Sequence, residues 1–138
     1  MIQERIVNRI DQEVSSFQSG FRQGSGTREG IFNLRTICER SLEMNNDVYI
    51  CFIDYTKAFD RVKHEKLIEC LSEIGIDERD LQIITKLYWE QTAAVRTEHG
   101  ATAEFKIRKG VRQGCVLSPS LFNLYTENFL AKLKTLGE

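Results

Sequence analysis

The sequence is poor in the residues that staple, break or bridge a chain. A single proline, Pro119, stands in 138 residues, so ring geometry bars nothing before it from regular structure. The four cysteines, Cys38, Cys51, Cys70 and Cys115, include no C-x-x-C pair, and the two histidines, His64 and His99, lie at no metal-ligand spacing from them. That excludes a zinc site built on local spacing. Three of the four thiols fall within apolar patterns, so reduced core cysteines are expected. No apolar run approaches the length that spans a bilayer. The first residues include Glu4, Arg5, Arg9 and Asp11, where a secretory signal needs an apolar stretch. The chain reads as soluble and intracellular, with no membrane partner. Repeats and low-complexity tracts are missing too, and so is an excess of either charge. A net charge of −1 is not the footprint of a general nucleic-acid binder.

What is present is an ordinary globular composition, 41% hydrophobic and 28% charged, at a length near the commonest domain size. Such a chain can bury roughly two-thirds of its unfolded surface. Charge is more telling locally than in sum. Lys106, Arg108, Lys109 and Arg112 stand close together with only Glu104 opposing them. Lysines that discourage pairing along a solvated hairpin edge would give this pattern, and so would a DNA or RNA contact.

Apolar spacing predicts an amphipathic helix over residues 1–14, from Ile2, Ile6, Val7 and Ile10. A polar, glycine-rich loop follows over 18–26. Thr27 is the predicted N-cap of a second helix whose face is Ile31, Leu34, Cys38 and Leu42 and which Asn45 and Asn46 close. Val48 to Ile53 is an unbroken apolar run, rich in β-branched and aromatic residues, and predicts a central strand covered on both faces. Leu67, Ile68, Leu71 and Ile74 predict a helix that Gly75 stops, and Asp77 caps another carrying Leu81, Ile84, Leu87 and Tyr88. Ala93, Val95 and Thr97 alternate, as do Ala103, Phe105 and Ile107, which predicts a hairpin. A loop over 110–118 leads to Pro119 in the first turn of a last helix, with Leu121, Phe122, Leu124, Tyr125, Phe129, Leu130 and Leu133 on its apolar face. Helices around a few strands, without βαβα alternation, make the fold class α+β or irregular α/β.

Three segments carry chemistry-bearing residues. In 52–60, FIDYTKAFD, an apolar strand ends in Asp54. A strand fixes the backbone while the loop after it leaves room for a ligand, which suits a Mg²⁺-binding carboxylate with the Tyr55 carbonyl beside it. Phe59 would wall one side of such a pocket, and Asp60 either caps the next helix or touches the ligand. A haloacid-dehalogenase-type phosphotransferase would need a second aspartate where Thr56 stands. In 110–119, GVRQGCVLSP, the glycines allow close main-chain approach, Arg112 and Gln113 suit phosphate or base edges, and the helix after Pro119 offers free N–H groups. In 24–30 the Gly-Lys-Ser/Thr ending of a P-loop is missing, which leaves a structural turn.

Order, spacing and spelling of these segments resemble the reverse transcriptases of non-LTR (LINE-type) retrotransposons. Gln18, Ser19, Gly20 and Phe21 resemble their Q-x-G-F segment, residues 52–60 resemble motif A, and residues 110–119 with Leu121, Phe122 and Asn123 resemble motif B, G-x-R-Q-G-x-x-x-S-P followed by L-F-N. The likeness also takes in residues 71–76. It implies an α+β fold, a partial right-hand polymerase palm with adjoining finger helices and an incomplete antiparallel sheet packed on helices. The one partial domain would have finger and palm helices over 1–46 and palm over 47–138. Asp54 would be the first catalytic aspartate and a ligand shared by two Mg²⁺ ions. Phe59 would stand beside the incoming sugar and select deoxynucleotides. Gln113 and Gly114 would lie near the nascent base pair, and Gly110, Arg112 and Ser118 along the template or dNTP path. The implied partners are an RNA template, a DNA primer and dNTPs, in the nucleus or cytoplasm.

The resemblance also implies a Tyr-x-Asp-Asp turn, motif C, after the helix that follows motif B, and no Asp-Asp pair occurs in these 138 residues. The thumb, the endonuclease and the basic finger segment are likewise expected to lie outside them. One aspartate holds Mg²⁺ feebly, so this chain alone is expected to be inactive. The alternative is a catalytically dead remnant that binds nucleic acid or protein. The strand over 48–53 would normally pair with the motif C hairpin, so an exposed edge and self-association are expected.

Overall fold

The computed structural model describes residues 2–22 and 24–135, the last four of these by backbone alone. Of the residues named above, Met1, Gln23 and the Leu133 side chain lie outside it. Among the described residues five α-helices form, α1 (Ile2–Glu13), α2 (Thr27–Glu43), α3 (His64–Glu73), α4 (Glu78–Trp89) and α5 (Ser118–Thr135). Four two-residue strands form as well, β1 (Thr92–Ala93), β2 (Arg96–Thr97), β3 (Gly100–Ala101) and β4 (Phe105–Lys106). The mixture is α+β. The chain divides into two compact units, one of residues 1–14 and 57–138, the other of residues 15–56.

In the first unit the helices meet where their apolar stripes predict. Ile6 and Ile10 of α1, Leu67 and Leu71 of α3, Ile84 and Tyr88 of α4, and Leu121 of α5 are all at most 1% exposed. α3 packs on both α4 and α5, and α1 packs on α5. Removing each such side chain from water contributes about 1.5–3 kcal/mol before chain entropy is counted. The helix ends follow the sequence. Gly75, at φ +75°, turns the chain out of α3, with the Gly75 and Ile76 amides donating to the Ser72 and Leu71 carbonyls, a left-handed stop that glycine adopts without steric cost. The Asp77 carboxylate accepts from the Arg79 amide at 2.8 Å and caps α4. Pro119 is the second residue of α5, where a missing N–H costs nothing.

Two contacts distant in sequence fasten α1. Arg5 forks onto both oxygens of buried Asp80 at 2.8 and 3.0 Å, and Arg9 Nε donates to the Ile74 carbonyl at 2.7 Å. The hairpin forms with Thr92 opposite Lys106 and Ala93 opposite Phe105, then Arg96 opposite Ala101 and Thr97 opposite Gly100, which leaves Glu98 and His99 at its tip.

The second unit departs from the sequence reading. α2 forms, but Gly26 occupies the N-cap position without a side-chain cap and Thr27 is already helical. Its C-terminus closes as expected, with Asn45 at φ +53° and the Asn46 amide donating to the Ser41 carbonyl. Of its predicted face, Leu34 and Cys38 are half-buried while Ile31 and Leu42 are exposed. The predicted central strand over 48–53 has no regular structure and joins no ladder among the described residues. Tyr49 is 93% exposed and Phe52 81%. Composition suits this segment to a strand, but a strand exists only where a neighbour accepts its backbone hydrogen bonds. The thiols split in the same way. Cys70 is buried, Cys38 and Cys115 are half-buried, and Cys51 is exposed, so of the three core thiols expected only one is fully buried. No helix among the described residues is long and apolar enough to cross a membrane.

Candidate active site

The 52–60 segment runs across the boundary between the units, and its two ends have different surroundings. In the second unit Asp54 and Tyr55 are exposed at the end of the apolar run. An exposed carboxylate is a hard oxygen donor of the kind Mg²⁺ accepts, and that ion is commonly held by one or two carboxylates with the remaining positions filled by water and phosphate. Asp54 fits such a role as one ligand. No cluster of three His, Cys, Asp or Glu side chains able to hold a metal occurs among the described residues.

In the first unit the segment continues through Lys57, at φ +54°, into a single 3-10 turn, Phe59–Arg61. The Asp60 and Arg61 amides donate to the Lys57 and Ala58 carbonyls. Asp60 is exposed in this turn and does not cap α3, whose N-cap position is Lys63 with no side-chain bond. Phe59 is half-buried, its ring stacked on Phe122 at a centroid distance of 4.7 Å and an angle of 12°. The aromatic residue of one motif thus rests on the aromatic residue that follows the other.

The 110–119 segment docks onto this turn through main chain. The Gly110 amide donates to the Val62 carbonyl at 2.7 Å and the Val111 amide to the Phe59 carbonyl at 2.9 Å. Gly110 sits at φ +100°, and a Cβ there would lie 3.1–3.3 Å from the backbone of Asp60. Glycine is required twice over, by its dihedral and by the approach. Arg112, Gln113 and Gly114 are exposed beyond this junction, in a turn closed by the Cys115 amide on the Arg112 carbonyl, with Gly114 at φ +84°. Ser118 is 1% exposed, and its Oγ lies 3.3 Å from the Tyr88 hydroxyl. Burial raises the Tyr88 pKa above its usual value, and the bond to Ser118 opposes that shift. Ser118 therefore meets the core, while Arg112, Gln113 and Gly114 present the open edge of the loop.

One residue at this junction has no counterpart in the sequence reading. His64, which spacing tests only as a metal ligand, is 4% exposed, and its Nε2 lies 2.7 Å from the Gly110 carbonyl. Its ring packs at tilted angles against Tyr88 and Trp89, with centroids 5.7 and 5.1 Å away. The imidazole ties the first turn of α3 and the last turn of α4 to the glycine that opens the 110–119 loop. Nothing local announces this role, because its partner lies 46 residues ahead.

Comparison with known proteins adds an independent finding. The sequence model of the family described as "Reverse transcriptase (RNA-dependent DNA polymerase)" matches residues 1–136. The chain is 32% identical over 124 residues to "Retrovirus-related Pol polyprotein from type-1 retrotransposable element R2" of Popillia japonica, covering 89% of this chain and 17% of that protein. It is 34% identical over 133 residues to "RNA-directed DNA polymerase from mobile element jockey" of Drosophila funebris, covering 91% of this chain and 14% of that protein. A Drosophila melanogaster relative, "Retrovirus-related Pol polyprotein from type-2 retrotransposable element R2DM", is 27% identical over 116 residues, covering 84% of this chain and 11% of that protein. The chain thus spans less than a fifth of the length of the first two relatives.

Proposed function

This chain belongs to the reverse transcriptase family, and from that premise we propose that it is the motif A and motif B portion of an RNA-directed DNA polymerase. As part of such an enzyme it takes part in adding dNTPs to a primer 3′-hydroxyl on an RNA template. The observation that carries this reading is the main-chain junction of the two motif segments at Gly110, Val62, Val111 and Phe59, with Phe59 stacked on Phe122. It supports a pocket wall in which Phe59, backed by a second ring, stands against the sugar and excludes a 2′-hydroxyl. Gln113 and Gly114 face the nascent base pair. Gly110 and Arg112 lie along the template or dNTP path, and Ser118 sets that loop from within the core. Asp54, with the Tyr55 carbonyl, is the metal and nucleotide end of motif A.

Two Mg²⁺ ions, when bound, supply activation of the attacking hydroxyl and neutralisation of the leaving pyrophosphate. Among these residues Asp54 is the ligand we assign, and a two-metal site draws on several carboxylates. The 138-residue chain by itself is accordingly inactive. We read its 1–46 portion as finger and palm helices and its 47–138 portion as palm, within one partial domain.

The test is a graft. Residues 1–136 replace the matching stretch of a full-length relative, and primer extension is followed with dNTPs and with rNTPs. The expected result is an active graft that loses at least about 10³-fold in rate with Asp54→Ala and admits rNTPs with Phe59→Ala. A graft as active with Asp54→Ala as without it overturns the catalytic assignment. Extension by the isolated chain overturns its inactivity.

A further inference from the structure

Apart from the motif residues, the first unit contains a cavity of about 440 Å³ walled by Lys63, Trp89, Lys106, Ile107, Arg108 and Lys109. That volume lies within the range of small-ligand sites. The clustering of its charge sets it apart. Elsewhere cations are either paired, as Arg5 is with Asp80 and Lys66 with Glu69, or unpaired among the described residues without lining this cavity, as Arg61, Arg79 and Arg96 are. Lys63, Lys106, Arg108 and Lys109 are exposed and enter no ion pair among the described residues, and Glu65 is the one acid of the wall. A chain of net charge −1 therefore gathers four unpaired cations around one concavity. Their mutual repulsion is relieved by an anion with several charges.

The cavity also has an aromatic wall. Trp89 is 38% exposed, and His64, held by the Gly110 carbonyl, packs 5.1 Å from its ring. The indole thus packs against a fixed imidazole, which also lines the cavity, and keeps an open part. Cations along a groove combined with a stacking ring are what a single strand of nucleic acid requires. An acidic peptide has use for the cations and none for the indole.

We propose that this cavity is a single-stranded nucleic-acid contact additional to the motif A and motif B site, with phosphates against Lys63, Lys106, Arg108 and Lys109 and one base on Trp89. The identification of the polyanion as nucleic acid rests on the polymerase reading. The site itself uses none of Asp54, Phe59 or Gln113.

Trp89 is the only tryptophan in the chain, so its emission reports the cavity directly. The experiment titrates the full chain with a labelled single-stranded RNA of about 12 nucleotides, at low salt and without Mg²⁺ or dNTP, and follows RNA anisotropy and tryptophan emission together. The expected result is quenching at the anisotropy midpoint. Combining Lys63→Gln, Arg108→Gln and Lys109→Gln, all at exposed positions, weakens binding by about tenfold or more and flattens its salt dependence by roughly 0.7 for each phosphate that is no longer neutralised. Trp89→Leu weakens it by roughly tenfold. Arg35→Gln with Arg40→Gln leaves it unchanged, and circular dichroism confirms that every variant folds. Unchanged affinity and salt slope in the triple variant overturn the proposal. So does a rise in anisotropy without quenching. Displacement of RNA by an oligoglutamate of equal charge would put an acidic peptide in the cavity and overturn the nucleic-acid assignment. Asp54→Ala leaves this binding intact while silencing the grafted polymerase, so the two readings fail separately.

Discussion

The two units have similar raw material and treat it differently. Residues 1–14 and 57–138 hold every buried hydrophobic side chain of the described chain. Residues 15–56 are nearly as apolar, yet Phe17, Phe32, Leu42, Tyr49 and Phe52 are each more than 65% exposed. In the first unit four helices present stripes to one another, so each apolar face finds another. In the second, among the described residues, a single helix and an irregular apolar run have no such partners within the unit. Hydrophobic content supplies the tendency to bury, and the arrangement of neighbouring elements decides whether burial occurs.

Truncations test this contrast most severely. Leu67→Ala is expected to lower unfolding free energy by about 3 kcal/mol in urea titrations, whereas Leu42→Ala, at a residue 80% exposed, should change it by less than about 0.5 kcal/mol. Equal costs would mean that the second unit buries more than its surface shows. Next in size is Gly110→Ala. The left-handed dihedral and the Asp60 backbone both oppose a Cβ, so a loss of about 2 kcal/mol or more is expected. A neutral result would show that the motif junction yields readily.

Much of the first unit is legible in the sequence because it is local. Gly75, Asp77 and Pro119 each act within a few residues, and each ends or starts a helix where the sequence indicates. The hairpin is equally local. What is not legible depends on distant partners. Residues 48–53 satisfy strand composition without a ladder to join. Asp80 is an acidic position in the first turn of a helix until Arg5, 75 residues away, reaches it. The same limit applies to the candidate site. Its segments can be named from spelling, but the seat of Gly110 on Asp60, the burial of Ser118 and the brace by His64 are tertiary facts.

A smaller effect distinguishes the units through their thiols. Burial raises the Cys70 pKa, against the opposing hydrogen bond from Asn128, whereas Cys51 is exposed. In timed labelling with a disulfide reagent, Cys51 should react at least roughly tenfold faster than Cys70. The raised Cys70 value also fixes a sign. A thiol held neutral by burial is no penalty below the ordinary thiol pKa, and stability falls as pH climbs from there through the raised value. Smallest of all is association through the 48–53 run. Ile50→Lys with Phe52→Lys should remove any concentration dependence of the sedimentation coefficient. A native chain that stays monomeric at high concentration would count against that edge as a contact.

The His64 brace has a spectroscopic corollary. The chain contains two imidazoles, one fixed beside two aromatic rings in the first unit and the other, His99, exposed at the hairpin tip. Ring currents from Tyr88 and Trp89 should displace the carbon-bound protons of His64 from the positions that His99 keeps. A one-dimensional proton spectrum would then show a folded signal and an internal reference side by side. During denaturation, the merging of those two resonances would mark the moment when α3 and α4 release the glycine that opens motif B.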